Sequence, residues 1–198
     1  MEAELHDLVR NDTWDLVKLP KGKYVIDTKW FYKTKYKSNV TIDKYKARSI
    51  ANDYAQKEGI DYTETFAPMA KLDTIKMVPT LATKYKWPIF QMDVKLAFLN
   101  GYVDEEIYVE LPEGFEVPGK EDYVYKLKKA LYGLKQAPRA WYSRIDKYFQ
   151  DHGLVKSLSE PNIYIFQSGQ DILIVVLYVD NLIYTGNNTK LFQRFKSY

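Results

Sequence analysis

Two aspartates follow strand-like segments, and they are the residues of this sequence best placed to do chemistry. Asp180 comes directly after the apolar run 172–179, and Asp93 closes the segment Ile89–Val94. A run that is apolar on both strand faces predicts a central, covered strand. Carboxylates held on rigid strands suit hard cations such as Mg²⁺, and pairs of such ions stabilise the attacking and leaving oxygens of phosphoryl transfer. A plain hairpin turn at Asp180-Asn181 is the alternative interpretation.

The elements that must position these aspartates form a mixed pattern of helices and strands. Further strands are predicted at Tyr123–Leu127, Tyr164–Gln167 and Leu182–Thr185, helices at Asp73–Lys84 and Pro138–His152, and an acidic loop at Tyr102–Val117. Pro79 lies inside the first helix, so we expect a kink or a shortened helix. The absence of a βαβ rhythm indicates the α+β class. We predict that Asp93 and Asp180 lie on adjacent antiparallel strands, with carboxylates within about 8 Å.

Cations are concentrated in two parts of a chain whose net charge is only +3. Residues 18–57 carry 11 Lys/Arg and 3 Asp (+8), residues 123–156 carry 8 Lys/Arg and 2 Asp (+6), and the acidic segment 102–122 lies between them. Alternating cations on Lys29–Lys37 and Thr41–Ile50, joined by a turn near Ser38-Asn39, predict a hairpin with one cationic face. Such a face suits a phosphate backbone. The alternatives are ordinary solvated faces and a lysine-rich edge that deters aggregation.

The composition excludes several classes of protein. The chain has 198 residues, 46% of them hydrophobic, and contains no cysteine, so disulfide scaffolds and zinc-thiolate sites are excluded. No apolar run approaches the ~18 residues of a membrane span. The acidic N-terminus has no apolar segment and does not resemble a secretory signal. We expect an intracellular protein of one domain that does not bind a membrane.

Six blocks of sequence resemble, in order, the reverse transcriptases of Ty1/copia-type retrotransposons. They are Lys44-Tyr-Lys-Ala-Arg48, Gly59–Pro68, Gln91–Gly101, Glu105–Phe115, Leu131–Arg139 with Trp141, and Leu177-Tyr-Val-Asp180 with Thr185-Gly-Asn187. The resemblance implies the fingers and palm of a right-handed polymerase, with an antiparallel palm sheet packed on helices and a fingers β-ribbon. Residues 14–86 would be mainly fingers and residues 87–198 mainly palm with some fingers. We expect no thumb and no RNase H domain in these 198 residues.

The same resemblance assigns roles to individual residues. Asp93 and Asp180 correspond to catalytic aspartates that hold two Mg²⁺, or Mn²⁺, and Phe98 to the aromatic gate that excludes a 2′-hydroxyl. Within the ribbon, Arg48 is the best candidate to bind the incoming triphosphate, because guanidinium binds phosphate bidentately. The remaining nucleotide-binding candidates are Lys44, Lys46, Gly133, Lys135 and Gln136, with Pro138 beside them. The implied partners are an RNA or DNA template with its primer and deoxynucleoside triphosphates, in a cytoplasmic particle or the nucleus. The oligomeric state stays open.

The sequence also departs from the family pattern. The expected Tyr-Val-Asp-Asp box reads Tyr-Val-Asp180-Asn181, which replaces a carboxylate by a neutral amide with a fixed donor. Pro79 interrupts a helix, and Ala51-Asn-Asp-Tyr54 lacks the usual lysine and glycine. We therefore expect an RNA-directed DNA polymerase domain impaired by Asn181. The alternatives are a non-catalytic nucleic-acid-binding relic and, remotely, an unrelated α+β interaction module with chance matches.

Overall fold

The computed structural model describes residues 1–197 and contains both helices and antiparallel sheets, which confirms the α+β class. The helices are α1 (Glu2–Arg10), α2 (Leu72–Tyr85), α3 (Ala137–Asp151) and α4 (Thr189–Ser197). The strands are β1 (Trp14–Lys18), β2 (Thr28–Tyr36), β3 (Ile42–Ala51), β4 (Ile89–Asp93), β5 (Tyr108–Val109), β6 (Tyr123–Leu127), β7 (Val155–Lys156), β8 (Ile163–Ser168), β9 (Asp171–Tyr178) and β10 (Asn181–Gly186). The chain divides into two compact units, one of Met1–Phe66 with Phe98–Trp141, the other of Ala67–Ala97 with Tyr142 onward.

The first unit contains a small sheet and a separate two-stranded ribbon. The sheet has the order β1-β6-β5, and β1 pairs antiparallel with β6 from Trp14 opposite Leu127 to Lys18 opposite Tyr123. Trp14 stacks on Tyr125, with ring centroids 4.2 Å apart. The ribbon pairs β2 with β3, and its turn places Val40 at a φ of 64°. The predicted hairpin is therefore confirmed.

The second unit is built around the antiparallel sheet β4-β10-β9-β8-β7. On one face, Ile174 and Val176 of β9 belong to a hydrophobic cluster with Val78 of α2. The other face is aromatic, since Tyr184 lies within 6 Å of Phe90, Phe192 and Phe195. Cover on both faces explains why β9 is apolar at nearly every position, as the sequence predicted.

Several details differ from the expectations. Pro79 does not shorten α2, which runs over 14 residues from Leu72 to Tyr85. The Thr83 hydroxyl donates to the Pro79 carbonyl at 2.8 Å, a bond between side chain and backbone within the helix. The acidic segment 102–117 is not wholly loop, because it contains β5 and the fully buried Ile107. No helix within residues 1–197 is both long and apolar enough to cross a bilayer.

Candidate active site

The turn between β9 and β10 presents Asp180 next to the end of β4. Val179 and Asp180 form the two-residue connection, and Val179 has a φ of 56°. A β-branched residue rarely adopts this left-handed conformation, so the turn is locally strained. The Val94 amide donates to the Asp180 carbonyl at 2.8 Å, which links the turn to β4.

The pairing of β10 with β4 puts Asn181 directly opposite Asp93. Opposed residues on antiparallel strands share a face, with Cβ atoms about 4.5 to 5.5 Å apart. Asp93 is exposed, and Asp180 and Asn181 are half-buried. The predicted adjacency of the two strands is confirmed, while the separation of the two carboxylates stays a prediction.

The Asn181 amide is hydrogen-bonded at both ends. Its Oδ1 accepts from Nε2 of Gln91 at 3.1 Å, and its Nδ2 donates to Oδ1 of Asp180 at 2.9 Å. An ionised carboxylate only accepts, so the donor end of the amide faces Asp180. Asn181, at which the sequence departs from the expected Tyr-Val-Asp-Asp box, therefore donates to the neighbouring carboxylate.

Two carboxylates and one amide are the side chains at this end of the sheet that could offer oxygen ligands to a divalent ion. Asp93 and Asp180 supply hard carboxylate oxygens at one end of the sheet, of the kind that Mg²⁺ prefers. Asn181 brings no charge, and its Nδ2 faces the Asp180 carboxylate. Among residues 1–197, no group of three or more His, Asp or Glu side chains is arranged to hold a metal.

The ribbon in the first unit carries the cationic face that the alternation predicted. Lys33 lies opposite Lys46, Lys35 opposite Lys44, and Phe31 opposite Arg48. Burial and then the charge of Arg48 lower the pKa of Lys46. Like charges directly opposite each other destabilise a strand pair. A bound anion would relieve this repulsion.

Glu4 of α1 supplies a carboxylate close to these cations. Glu4 is buried, and burial raises the pKa of its carboxyl, partly offset by the charges of Lys46 and Arg48. The Tyr32 hydroxyl of β2 also bonds the Met1 sulfur of the N-terminus, at 3.2 Å. The first helix therefore places a negative group beside the face proposed to bind phosphate.

Tyr132 links two of the predicted nucleotide-binding residues. The guanidinium of Arg48 lies 4.4 Å from the centroid of the Tyr132 ring. The ring of Phe98 lies 4.8 Å from the same ring and is inclined at 54° to it. Arg48 and Phe98 are thus brought together through a shared aromatic neighbour.

The segment that follows Tyr132 is fixed to the end of the ribbon. The Ala51 amide donates to the Tyr132 carbonyl at 2.8 Å. Gln56 completes the attachment, because its amide donates to the Gly133 carbonyl at 2.8 Å and accepts from the Lys135 amide at 2.9 Å. The buried side-chain amide of Gln56 thus supplies hydrogen bonds to the backbone of this segment of the kind that a neighbouring strand would supply.

The other predicted members of this segment differ in exposure. Lys44 is exposed and Lys135 is half-buried, with its Nζ 5.1 Å from the centroid of the Tyr62 ring. Gln136 is buried, and its Nε2 donates to the Asp61 carbonyl at 2.6 Å. No described residue donates to Oε1 of Gln136, a buried acceptor.

Four residues of these two sites were not found from the sequence, namely Tyr132, Gln56, Gln91 and Glu4. Tyr132 and Gln91 stand inside blocks that carried the family resemblance, so their position in those blocks was an available signal. Gln56 and Glu4 gave no such signal. Their roles depend on contacts with residues far along the chain.

Comparison with known proteins identifies the class. A sequence profile described as reverse transcriptase (RNA-dependent DNA polymerase) matches residues 11–198. The chain belongs to this family.

The relatives include Pol polyproteins of copia-type and Ty1 transposons. The retrovirus-related Pol polyprotein from transposon TNT 1-94 of Nicotiana tabacum is 42% identical over 99% of the chain and 15% of its own length. That from transposon RE2 of Arabidopsis thaliana is 41% identical over 96% of the chain and 13% of its length. The Ty1-ER2 Gag-Pol polyprotein of Saccharomyces cerevisiae is 28% identical over 91% of the chain and 10% of its length. The chain thus spans a small part of each relative.

Proposed function

We propose that the chain is the RNA-directed DNA polymerase domain of a copia-like retrotransposon polyprotein, with activity reduced by Asn181. The observation that carries the proposal is the place of Asp93 and Asp180 at one end of the adjacent strands β4 and β10, in a chain of this family. The substrates would be a primed RNA or DNA template and deoxynucleoside triphosphates. The reaction would join the primer 3′ oxygen to the α-phosphorus and release pyrophosphate.

The proposal assigns a role to each of the candidate residues. In the second unit, Asp93 and Asp180 would hold the divalent cation, Mg²⁺ or Mn²⁺, which supplies charge stabilisation for the attacking and leaving oxygens. In the first unit, Arg48 and the neighbouring lysines would bind the triphosphate. Phe98 would exclude a ribose 2′-hydroxyl by contact.

Asn181 is the reason to expect low activity. The family's second aspartate would add a negative charge that offsets repulsion between two divalent ions and the triphosphate. The amide removes that charge, and its donor end faces Asp180. A loss of a few kcal/mol in the transition state lowers the rate at least ~100-fold, at about 1.4 kcal/mol per decade.

The second candidate is a non-catalytic nucleic-acid-binding relic. The hydrogen bond from Asn181 to Asp180 favours this relic, because the bond engages a carboxylate oxygen that would otherwise be a candidate metal ligand. The cationic ribbon that would bind nucleic acid is retained. This candidate predicts salt-dependent binding of nucleic acid without nucleotide addition in any metal.

Primer extension of the chain, the Asn181→Asp variant and the Asp93→Ala variant, each in Mg²⁺ and in Mn²⁺, tests the proposal. We expect little or no extension by the unmodified chain in Mg²⁺ and a trace in Mn²⁺. Asn181→Asp should raise the rate and Asp93→Ala should abolish it. Robust Mg²⁺ activity of the unmodified chain that Asp93→Ala removes would contradict the assigned defect. Binding without extension in all variants would favour the relic.

A further inference from the structure

Gln91 begins a chain of hydrogen bonds that ends on the candidate metal ligand Asp180. Gln91 lies two residues before Asp93 on β4, so both side chains project from the same face of that strand. Its Nε2 donates to Oδ1 of Asn181, whose Nδ2 donates to Oδ1 of Asp180. Both bonds have ordinary lengths, 3.1 and 2.9 Å.

The direction of this chain follows from the chemistry of its members. An asparagine amide presents an acceptor at one end and a donor at the other, so it satisfies two neighbours only in the matching orientation. Asp180 accepts only, which turns Nδ2 of Asn181 toward it. Gln91 then stabilises the same orientation by donating to the oxygen at the opposite end.

We propose that Gln91 is a positioning residue that holds the Asn181 amide in the orientation least suited to binding a cation. In that orientation Nδ2 of Asn181 donates a hydrogen bond to an oxygen of Asp180. Oδ1 of Asn181 accepts a hydrogen bond from Gln91, and Oδ1 is the only atom of this side chain that can ligate a hard cation. This inference rests on the proposed function only in that Asp93 and Asp180 bind a divalent cation.

The same residue should not hinder cation binding when position 181 carries an aspartate. A carboxylate has no donor end, so donation from Gln91 to one of its oxygens would leave the other oxygen available to a cation. Removal of the Gln91 donor should therefore help cation binding in the unmodified chain and not help it in the Asn181→Asp variant. A purely structural role of Gln91 predicts the same effect in both.

Gln91→Met is the substitution that separates these possibilities. Methionine has a similar length, donates no hydrogen bond and leaves the net charge unchanged, so a change in cation affinity is not a charge effect. Gln91 is exposed, and an exposed substitution of this kind usually changes stability by no more than about 0.5 kcal/mol. Circular dichroism checks that each variant folds.

Mn²⁺ binding, measured by electron paramagnetic resonance without nucleic acid, is compared in four proteins and an Asp93→Ala control. The four are the unmodified chain, Gln91→Met, Asn181→Asp, and the double variant. We expect Gln91→Met to tighten Mn²⁺ binding roughly threefold to tenfold in the unmodified chain, the effect of releasing one hydrogen bond. In the Asn181→Asp background it should leave binding unchanged or weaken it.

A second measurement reports the orientation itself. The side-chain NH₂ resonances of Asn181, assigned by their loss in Asn181→Asp, should shift in Gln91→Met and shift again when Mg²⁺ is added. Unchanged resonances together with unchanged Mn²⁺ affinity would overturn the inference. If Asn181→Asp binds Mn²⁺ no better than Asp93→Ala, the proposed metal site itself fails. If Asn181→Asp binds and Gln91→Met has no effect on the unmodified chain, only the inference fails.

Discussion

Gly133 occupies a position that a side chain cannot share with the end of the ribbon. Its φ is 91°, and a Cβ built on it would lie 2.0 Å from the Ala51 carbonyl oxygen. Backbone on both sides of this contact is hydrogen-bonded, since the Ala51 amide donates to the Tyr132 carbonyl. A side chain at position 133 would therefore have to displace backbone that is already hydrogen-bonded.

We expect Gly133→Ala to destabilise the protein by about 2 to 5 kcal/mol, the sum of left-handed backbone strain and overpacking. Urea unfolding followed by circular dichroism measures it. Gly22→Ala is the matched control, because Gly22 has a φ of 79° and no described atom within 4 Å of its Cβ. The control should lose only about 1 to 2 kcal/mol. Equal losses of stability in the two variants would show that the backbone near Ala51 shifts at little cost to accommodate the added methyl group.

The sequence was sufficient to place the two aspartates at the ends of strands, because that placement depends on short local segments. Asp93 is the last residue of β4, and Asp180 lies between β9 and β10, all strands that the sequence reveals. The pairing of β10 with β4 agrees with the predicted adjacency. The bond between Gln91 and Asn181 was not predictable, because it joins side chains 90 residues apart and depends on which residues face each other across two strands. A shift of one residue would turn these side chains to opposite faces.

At the level of elements, α1 and the ribbon form an electrostatic pair. The helix contributes Glu4, whose carboxyl pKa is raised first by burial, and β3 contributes Lys46 and Arg48. A raised pKa means that the folded protein disfavours the ionised carboxylate relative to the unfolded chain. The resulting loss of stability develops as pH rises from the ordinary carboxyl pKa through the raised one, and it persists at neutral pH.

Glu4→Gln should therefore stabilise the protein at neutral pH. The gain in stability should disappear below about pH 4, because residue 4 is then neutral in the unmodified protein as well as in the variant. Urea unfolding over a pH series measures the difference. Glu2→Gln, an exposed residue in the first turn of the same helix, controls for the loss of one charge. A loss of stability at neutral pH would instead mean that attraction to Lys46 and Arg48 outweighs burial.

The elements that the sequence revealed are those with local patterns. Strands β4, β6, β8, β9 and β10, the ribbon, and helices α2 and α3 were all predicted within a few residues. The short strand β1 was missed because its pairing with β6 lies more than a hundred residues away. The helix α4 was missed although Leu191, Phe192 and Phe195 have helical spacing, and Phe192 and Phe195 pack on Tyr184.

At the scale of the whole molecule, charge is distributed unevenly around a small net value. The net charge of +3 conceals basic blocks of +8 at residues 18–57 and +6 at residues 123–156. The first block includes the ribbon, where lysines lie opposite lysines. Polyanions bind such surfaces by releasing counterions, so the logarithm of the binding constant falls linearly with the logarithm of the salt concentration. The slope is proportional to the number of phosphates that the protein neutralises. It therefore measures how many cations of the basic blocks contact the nucleic acid.

We expect the chain to bind single-stranded oligonucleotides with little sequence preference and with a steep salt dependence. Replacing Lys46 and Arg48 together by alanine should lower the slope by about 1.4, at roughly 0.7 for each phosphate contact of a single strand. Fluorescence anisotropy at several salt concentrations measures the slope.

Lys76→Ala with Lys190→Ala is the control, because it removes the same charge from exposed positions outside both basic blocks. This double variant should leave the slope nearly unchanged. An unchanged slope in the Lys46 and Arg48 variant would mean that the ribbon is not part of the binding surface. Equal reductions in both double variants would assign the effect to net charge alone, since affinity would then follow total charge and not the cationic face of β2 and β3.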